Sequence, residues 1–197
     1  MIEIKNIYLK IEDKEIFKNF SVKISKNEHV CFSGHSGKGK STLLKIIQGY
    51  VIPQNGIIQI DGKILNPENV KSLRNLMSYI PQNVNLPVEN LYELINFIGA
   101  KNYEEKIFNI LEILKINKKE ATKPFDQLSG GEKQRIIIAF CLSLNKQIIL
   151  MDEPTSGLDN ESSNIIIELV KNLKNNTIVS VSHNPLWWQS CDKIIEL

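Results

Sequence analysis

The segment Gly34–Ser41 reads GHSGKGKS and satisfies the spacing G-x-x-x-x-G-K-[S/T] in full. Glycines at this spacing let backbone amides close around an oxyanion as a concave nest for phosphate. Lys40 then offers a mobile cation to β- and γ-phosphates, and Ser41 offers a hydroxyl to Mg²⁺. Thr42 belongs at the start of the following helix, beside an α-phosphate. The expected nucleotide-binding loop is Gly34, His35, Ser36, Gly37, Lys38, Gly39, Lys40, Ser41 and Thr42, with His35 and Lys38 in its variable positions.

A second group of residues could act on what that loop holds. The apolar run IILM ends abruptly in Asp152-Glu153, and a buried strand with carboxylates at its carboxyl end is a ligand-site arrangement in open α/β sheets. Asp152 suits Mg²⁺, held through water. Glu153 is then free to take a proton from an attacking water or to orient it. Pro154 and Gly157 shape the loop that follows, and Asp159 could report across an interface. The run TIVSVSHN ends on His183, which could donate to a transferred phosphoryl group or hold Glu153 and water in line. Gln82, in YIPQN, is a neutral donor and acceptor able to touch both Mg²⁺ and water.

LSGGEKQR, from Leu128 to Arg135, poses a different problem. Ser129 is placed as an N-cap, Gly130 and Gly131 open the helix, and Glu132 follows in its first turn. A helix N-terminus with bare amides is an anion site, yet the chain already has a phosphate loop nearly a hundred residues earlier.

Positioning these residues requires strands that alternate with helices. Residues 1–33 read as strands, with Phe20, Val22 and Ile24 alternating before the buried run HVCFS. Residues 40–50 read as a helix, IIQI and the Asp61-Gly62 turn as a hairpin, and MSYI (77–80) as a strand leading into Pro81-Gln82. From Leu91 to Ile116 the period is helical: Leu94, Ile95 and Ile98 share one face, and Ile107, Leu111 and Leu114 another. A helix after the glycine pair, the strand IILM, a helix near 160–174 and the strands TIVSVS and KIIEL complete the order. This predicts an α/β fold with a mainly parallel sheet. An N-terminal antiparallel β subdomain precedes that core, and a helical subdomain at about 86–128 interrupts it.

Composition limits the function classes. The 197 residues are 42% apolar and 23% charged, enough for a real core, and a net charge of +2 gives no basis for nucleic-acid binding. No apolar run reaches the ~18 residues that cross a bilayer, and the N-terminus begins at once as a strand rather than a signal peptide. Cys31, Cys141 and Cys191 are widely spaced in apolar surroundings and read as buried reduced thiols of a cytosolic protein.

In order and spacing these motifs resemble those of the ATP-binding cassette (ABC) ATPases over practically the whole chain. GHSGKGKS resembles the family's Walker A, Gln82 its Q-loop, LSGGE its signature, and IILMDE its Walker B with catalytic glutamate. SGLD resembles the D-loop, and His183 the switch histidine. The resemblance implies a P-loop NTPase fold spanning 1–197 as one cassette domain, with ATP and Mg²⁺ as ligands; Ser41, Gln82 and Asp152 would serve the metal. It also accounts for the second anion site. Two cassettes would meet head to tail, Ser129, Gly130, Gly131 and Glu132 of one closing over ATP on the other, with Asp159 at the junction. ATP then acts as interface glue that hydrolysis removes.

The resemblance departs at one position. The family stacks adenine on an aromatic where this chain has Ile11, and Tyr8 falls three residues early; a missing stack implies weaker ATP affinity or looser base choice, by about 1–3 kcal/mol. The chain ends just after its last strand and carries no membrane domain, which implies a minimal, stand-alone nucleotide-binding subunit. Its implied partners are a second cassette, an identical copy ranking ahead of a different chain, and a separate transmembrane permease that holds it on the inner face of the membrane. Leu86, Val88, Leu91 and Tyr92, within Asn83–Gly99, either line the docking groove or belong to the core. Trp187 and Trp188 either pack or meet a partner. Two other readings remain open: a cassette of the cell-division or iron–sulfur-assembly type, and a scaffold that binds ATP but hardly hydrolyses it, against which Glu153 and His183 argue.

Overall fold

Alternating residues build the first sheet. The computed structural model describes Met1–Leu197. In β1 (Ile2–Ile11) the side chains of Ile2, Ile4, Ile7 and Leu9 are buried. This strand pairs antiparallel with β2 (Lys14–Ile24) on one side and with β4 (Asn55–Ile60) on the other, and β5 (Lys63–Ile64) completes the order β2-β1-β4-β5. This is the expected N-terminal antiparallel subdomain.

The second sheet is parallel. It contains β3 (His29–Ser33), β6 (Met77–Ile80), β7 (Ile148–Asp152), β8 (Thr177–Val181) and β9 (Lys193–Glu196), in the order β6-β7-β8-β3-β9. Every residue of β3, β7 and β8 is buried, because a parallel sheet is covered on both faces. Its strands therefore divide two cores with a period of two. Val30, Phe32, Ile148, Leu150, Val179 and Val181 face β1, β2 and α1 (Lys40–Ile47); Cys31, Ile149, Met151 and Ile178 face the other way. That opposite core takes α6 (Gly130–Ser143), α7 (Asn160–Lys171) and the helical arm.

The arm comprises α3 (Leu91–Ile98), α4 (Glu104–Ile113) and α5 (Lys118–Ala121), with α4 packed on α6. Ile107, Leu111 and Leu114 are fully buried, as their spacing predicts. Ile98 is not: it is 52% exposed, because Gly99 ends α3 in a left-handed turn and leaves the last helical turn beyond the core. Leu91 belongs to the core, and Tyr92 packs partly buried beside Phe108. Two short helices lie outside the sequence-based expectation, α2 (Val70–Arg74) and α8 (Pro185–Trp188). Trp187 is fully buried and Trp188 half-buried, so both pack. All three cysteines are free thiols; Cys31 and Cys141 are buried as expected, whereas Cys191 is half-buried beside His29 and Ser190 rather than in apolar surroundings. No helix is long and apolar enough to cross a membrane.

Candidate functional site

The phosphate loop joins the carboxyl end of β3 to α1. Gly34, Gly37 and Gly39 adopt φ of 135°, 79° and 91°, left-handed values that L side chains rarely reach. Gly39 is required twice over, since a Cβ there would sit 2.5 Å from Ile16 Cγ2 and 3.1 Å from Phe17 Cζ. Lys14, on the β1–β2 hairpin, donates from Nζ to the Gly37 carbonyl (2.9 Å) and ties that hairpin to the loop. Lys40 lies over the loop, its Nζ donating to the carbonyls of Gly34 (2.7 Å) and His35 (3.0 Å).

These residues line a cavity of about 470 Å³. Its walls are Gly34, His35, Ser36, Gly37, Gly39, Lys40, Ser41 and Thr42 from the loop, with Gln82, Glu153 and His183 opposite. Residues separated by some 150 positions thus converge as their types predict, and no apolar side chain intrudes. A larger groove of about 1000 Å³ runs along α4 between Lys101 and Lys118, but it contains none of these groups.

Asp152 closes β7 beside the loop. Ser41 Oγ donates to its Oδ1 (3.0 Å) and the Tyr79 hydroxyl to its Oδ2 (3.3 Å). Burial pushes the Asp152 carboxyl up, and the hydrogen bonds from Ser41 and Tyr79 oppose that push. A desolvated carboxylate adjoining a hydroxyl is a hard-oxygen donor set that a divalent cation would relieve, so the residues fit Mg²⁺. The reciprocal effect falls on Tyr79, whose phenol burial and the neighbouring Asp152 push well above its ordinary value.

Glu153 follows with φ of +46°, a left-handed value for a non-glycine residue. Its backbone N–H donates to the Val181 carbonyl (2.9 Å), anchoring the turn to β8. Its Oε1 lies 2.9 Å from His183 Nδ1, while the His183 backbone N–H points to Oε2 at 3.4 Å. Glu153 is buried; the His183 ring is 71% exposed. Backbone strain of this kind gathers where side-chain placement is demanding.

The signature segment lies elsewhere. Ser129 caps α6, and its hydroxyl and backbone N–H both donate to Glu132 Oε2 (2.6 and 2.7 Å), while the Glu132 N–H donates back to Ser129 Oγ (3.2 Å). This capping box leaves Ser129 and Gly130 exposed, away from the 470 Å³ cavity. The hydrogen bonds from Ser129 hold the Glu132 carboxyl below its usual range. A Cβ on Gly130 would meet nothing within 4 Å, so the fold itself does not call for that glycine. Asp159 caps α7, accepting from the Ser162 N–H (2.8 Å) and hydroxyl (2.9 Å), while Arg135 also donates to Ser162 Oγ (2.6 Å).

Two polar residues absent from the sequence reading support the site. Tyr79 holds Asp152, as above. Gln134, buried in α6, donates from Nε2 to the Pro81 carbonyl (3.2 Å) and so ties the signature helix to the loop carrying Gln82. Only Tyr79 had a local signal, as the outward member of MSYI at a strand end. Of the candidate docking residues, Leu86 and Val88 line a shallow groove of about 270 Å³ with Val84 and Phe125. At the expected adenine position Ile11 is 45% exposed at the end of β1, and the Tyr8 hydroxyl is engaged by Glu15 (3.0 Å).

Known proteins resemble this chain in sequence and fold. The sequence model of the ABC transporter family matches residues 17–156. The phosphonates import ATP-binding protein PhnC of Fusobacterium nucleatum is 36% identical over 220 residues, covering 100% of this chain and 88% of that one. The energy-coupling factor transporter ATP-binding protein EcfA1 of Ureaplasma parvum is 35% identical, covering 98% and 70%. Among solved structures, the dimeric post-hydrolysis state of the ATP-binding cassette MJ0796 bound to ADP and Pi superposes with a TM-score of 0.88 at 28% identity, covering 100% and 94%. The chain therefore belongs to the ABC transporter family, as one of its ATP-binding cassettes.

Proposed function

We propose that this cassette, one domain over residues 1–197 with a helical arm at 86–128, pairs with a second copy of itself on ATP. Hydrolysis then separates the pair, and the cycle energises a separate membrane permease. The observation that carries the reading is a separation. The 470 Å³ cavity holds Lys40, Glu153 and His183 together, whereas Ser129 and Gly130 stand exposed outside it. One copy carries both halves of a composite site, so two identical copies complete two sites by isologous contact.

The residues take these roles. Amides of Gly34–Thr42 and the Lys40 ammonium hold the triphosphate. Ser41, Asp152 and Gln82 would hold Mg²⁺, which when bound neutralises charge on the β- and γ-phosphates. Glu153 takes a proton from the attacking water as the water oxygen bonds the γ-phosphorus and the bond to the β–γ bridging oxygen breaks. His183 keeps the Glu153 carboxylate oriented through Nδ1. Ser129, Gly130 and Gly131 of the partner copy donate to the γ-phosphate, with Glu132 fixing the Ser129 rotamer. The groove lined by Leu86 and Val88, beside the Gln82 loop, is where a permease segment would dock and sense that cycle. Such docking places the cassette on the cytoplasmic face of the membrane.

Recovery of tagged Glu153→Gln protein with ATP and Mg²⁺ from gently solubilised cells tests the transport reading. The expected companion is a multi-span membrane protein, lost from the Leu86→Asp variant. Exclusively soluble companions, with nucleotide still bound, would overturn it. Wild-type ATPase activity that survives EDTA would overturn the metal assignment.

A further inference from the structure

Two loops carry the carboxylate–imidazole pair of the 470 Å³ cavity: residues 153–157 after β7, and residues 182–184 after β8. A carboxylate only accepts, so His183 Nδ1 donates to Glu153 Oε1 across the 2.9 Å that separates them. With 71% of its side chain exposed, the His183 ring has little packing to hold it. One hydrogen bond between two loops leaves rotation about it free, and a misplacement of about 1 Å at reacting groups is enough to slow chemistry.

A second link lies beside that pair. Asn184 Nδ2 donates to Thr155 Oγ1 (3.2 Å). The Leu186 N–H can only donate, and it reaches Asn184 Oδ1 (3.0 Å), so the amide group is oriented with its nitrogen toward Thr155. The Asn184 backbone N–H donates to Ser182 Oγ (3.1 Å) and the Ser182 N–H to the Phe32 carbonyl (3.2 Å), which anchors this loop to β3. On the other side Thr155 is 5% exposed, within a turn closed by the Ser156 N–H on the Glu153 carbonyl (3.0 Å). Glu153, Thr155, Asn184 and His183 thus form a closed ring, two residues from each loop. All four line a polar cavity of about 310 Å³, and only Glu153 and His183 reach the 470 Å³ cavity as well.

We infer that Thr155 and Asn184 are positioning residues for hydrolysis: their hydrogen bond fixes the angle at which Glu153 and His183 meet. The inference rests on the catalytic roles given above to those two residues. Two links between two loops fix orientation as well as distance, where one fixes distance alone. The second link also restrains the left-handed turn at Glu153 (φ +46°), a conformation that persists only where its surroundings hold it. Neither Thr155 nor Asn184 lines the phosphate-loop cavity. Loss of their bond should therefore lower turnover and leave nucleotide affinity alone.

Thr155→Val replaces the hydroxyl by a methyl group of similar size, and Thr155→Ser keeps the hydroxyl. ATP turnover, equilibrium ATP affinity and the ring-nitrogen NMR resonances of His183, all at one fixed pH, are measured on the full chain. The His183 signals are assigned by their disappearance in His183→Ala. In Thr155→Val turnover should fall about tenfold or more, with ATP affinity within about twofold of wild type. The His183 resonances should move toward those of Glu153→Ala, where the ring has no carboxylate partner. Thr155→Ser should match wild type in all three. A Thr155→Val chain with wild-type turnover or wild-type His183 resonances would overturn the inference, as would a parallel loss of ATP affinity or equal losses in Thr155→Ser. Where urea unfolding shows Thr155→Val to be poorly folded, Thr155→Ala repeats the comparison without a branched side chain. Wild-type turnover in Glu153→Gln is a separate failure, of the role given to Glu153. The His183 resonances tell the two apart, because they report the Thr155–Asn184 bond whether or not Glu153 acts.

Discussion

Glu153 Oε1 stands 2.9 Å from His183 Nδ1, and the backbone that brings the carboxylate there is left-handed, at φ of +46°. The strand β7 points its last residues at the phosphate loop, and this turn redirects the side chain of Glu153 toward the end of β8. A left-handed L residue costs roughly 1–2 kcal/mol. Glu153 therefore sits at the site at the expense of the fold, as strained functional positions do.

That strain orders two substitutions against their usual ranking. In most contexts Ala is more stable than Gly, by about 0.4–1 kcal/mol through the unfolded chain. Here Glu153→Gly should be more stable than Glu153→Ala by about 0.5–1 kcal/mol in urea unfolding, and neither should turn ATP over. Equal stability, or Ala ahead, would contradict the left-handed turn.

Two glycines that the proposal assigns to phosphate should respond in opposite ways to the same change. Gly39→Ala places a methyl 2.5 Å from Ile16 Cγ2 at φ of 91°, so a loss of about 2 kcal/mol in stability and at least tenfold in ATP affinity is expected. Gly130→Ala meets nothing in its own chain and should hold or slightly raise stability, by up to about 1 kcal/mol. Its effect should appear only in ATP-driven pairing, measured by sedimentation. A Gly130→Ala chain that unfolds early would show that the fold, not a partner, needs that glycine.

Gln134→Leu removes the donor to the Pro81 carbonyl. The expected stability loss is about 1–2 kcal/mol, from the unpaired carbonyl. Turnover should fall while equilibrium ATP affinity stays near wild type, because Gln134 touches the loop backbone and not the cavity. Parallel losses in affinity and turnover would remove the proposed link between α6 and the Gln82 loop.

The capping box gives a pH-dependent prediction. Hydrogen bonds from Ser129 hold the folded Glu132 carboxyl below its unfolded value. Their contribution is thus present above the unfolded value and fades as pH falls through the folded one. Ser129→Ala should move the Glu132 titration upward in NMR and cost about 1 kcal/mol of stability at neutral pH. An unmoved Glu132 titration would mean that Ser129 does not hold it.

Much of the site was legible because its signals are local. MSYI was readable with its boundaries, since a short, mostly apolar run that stops at Pro81 admits few alternatives. The phosphate loop, the acid pair and the Ser129 N-cap with its glycine pair each lie within a dozen residues. What escaped the sequence lies across the fold. His29 meets Cys191 over 162 positions, and Gln134 meets Pro81 over 53, with no periodicity to announce either. Ile98 shows a different limit: it keeps the helical spacing of Leu94 and Ile95, but the helix outruns the core it packs on. Cys191 reads as apolar by neighbouring residues in the chain, whereas its environment is set by β3 and α8.

The central claim is that ATP joins two copies through the signature of each. Light scattering of Glu153→Gln protein with ATP and Mg²⁺ measures it directly. The account predicts a mass of twice 22.5 kDa, returning to the single-chain value when Ser129→Arg is added. A Glu153→Gln chain that holds ATP and stays monomeric at saturation would contradict it.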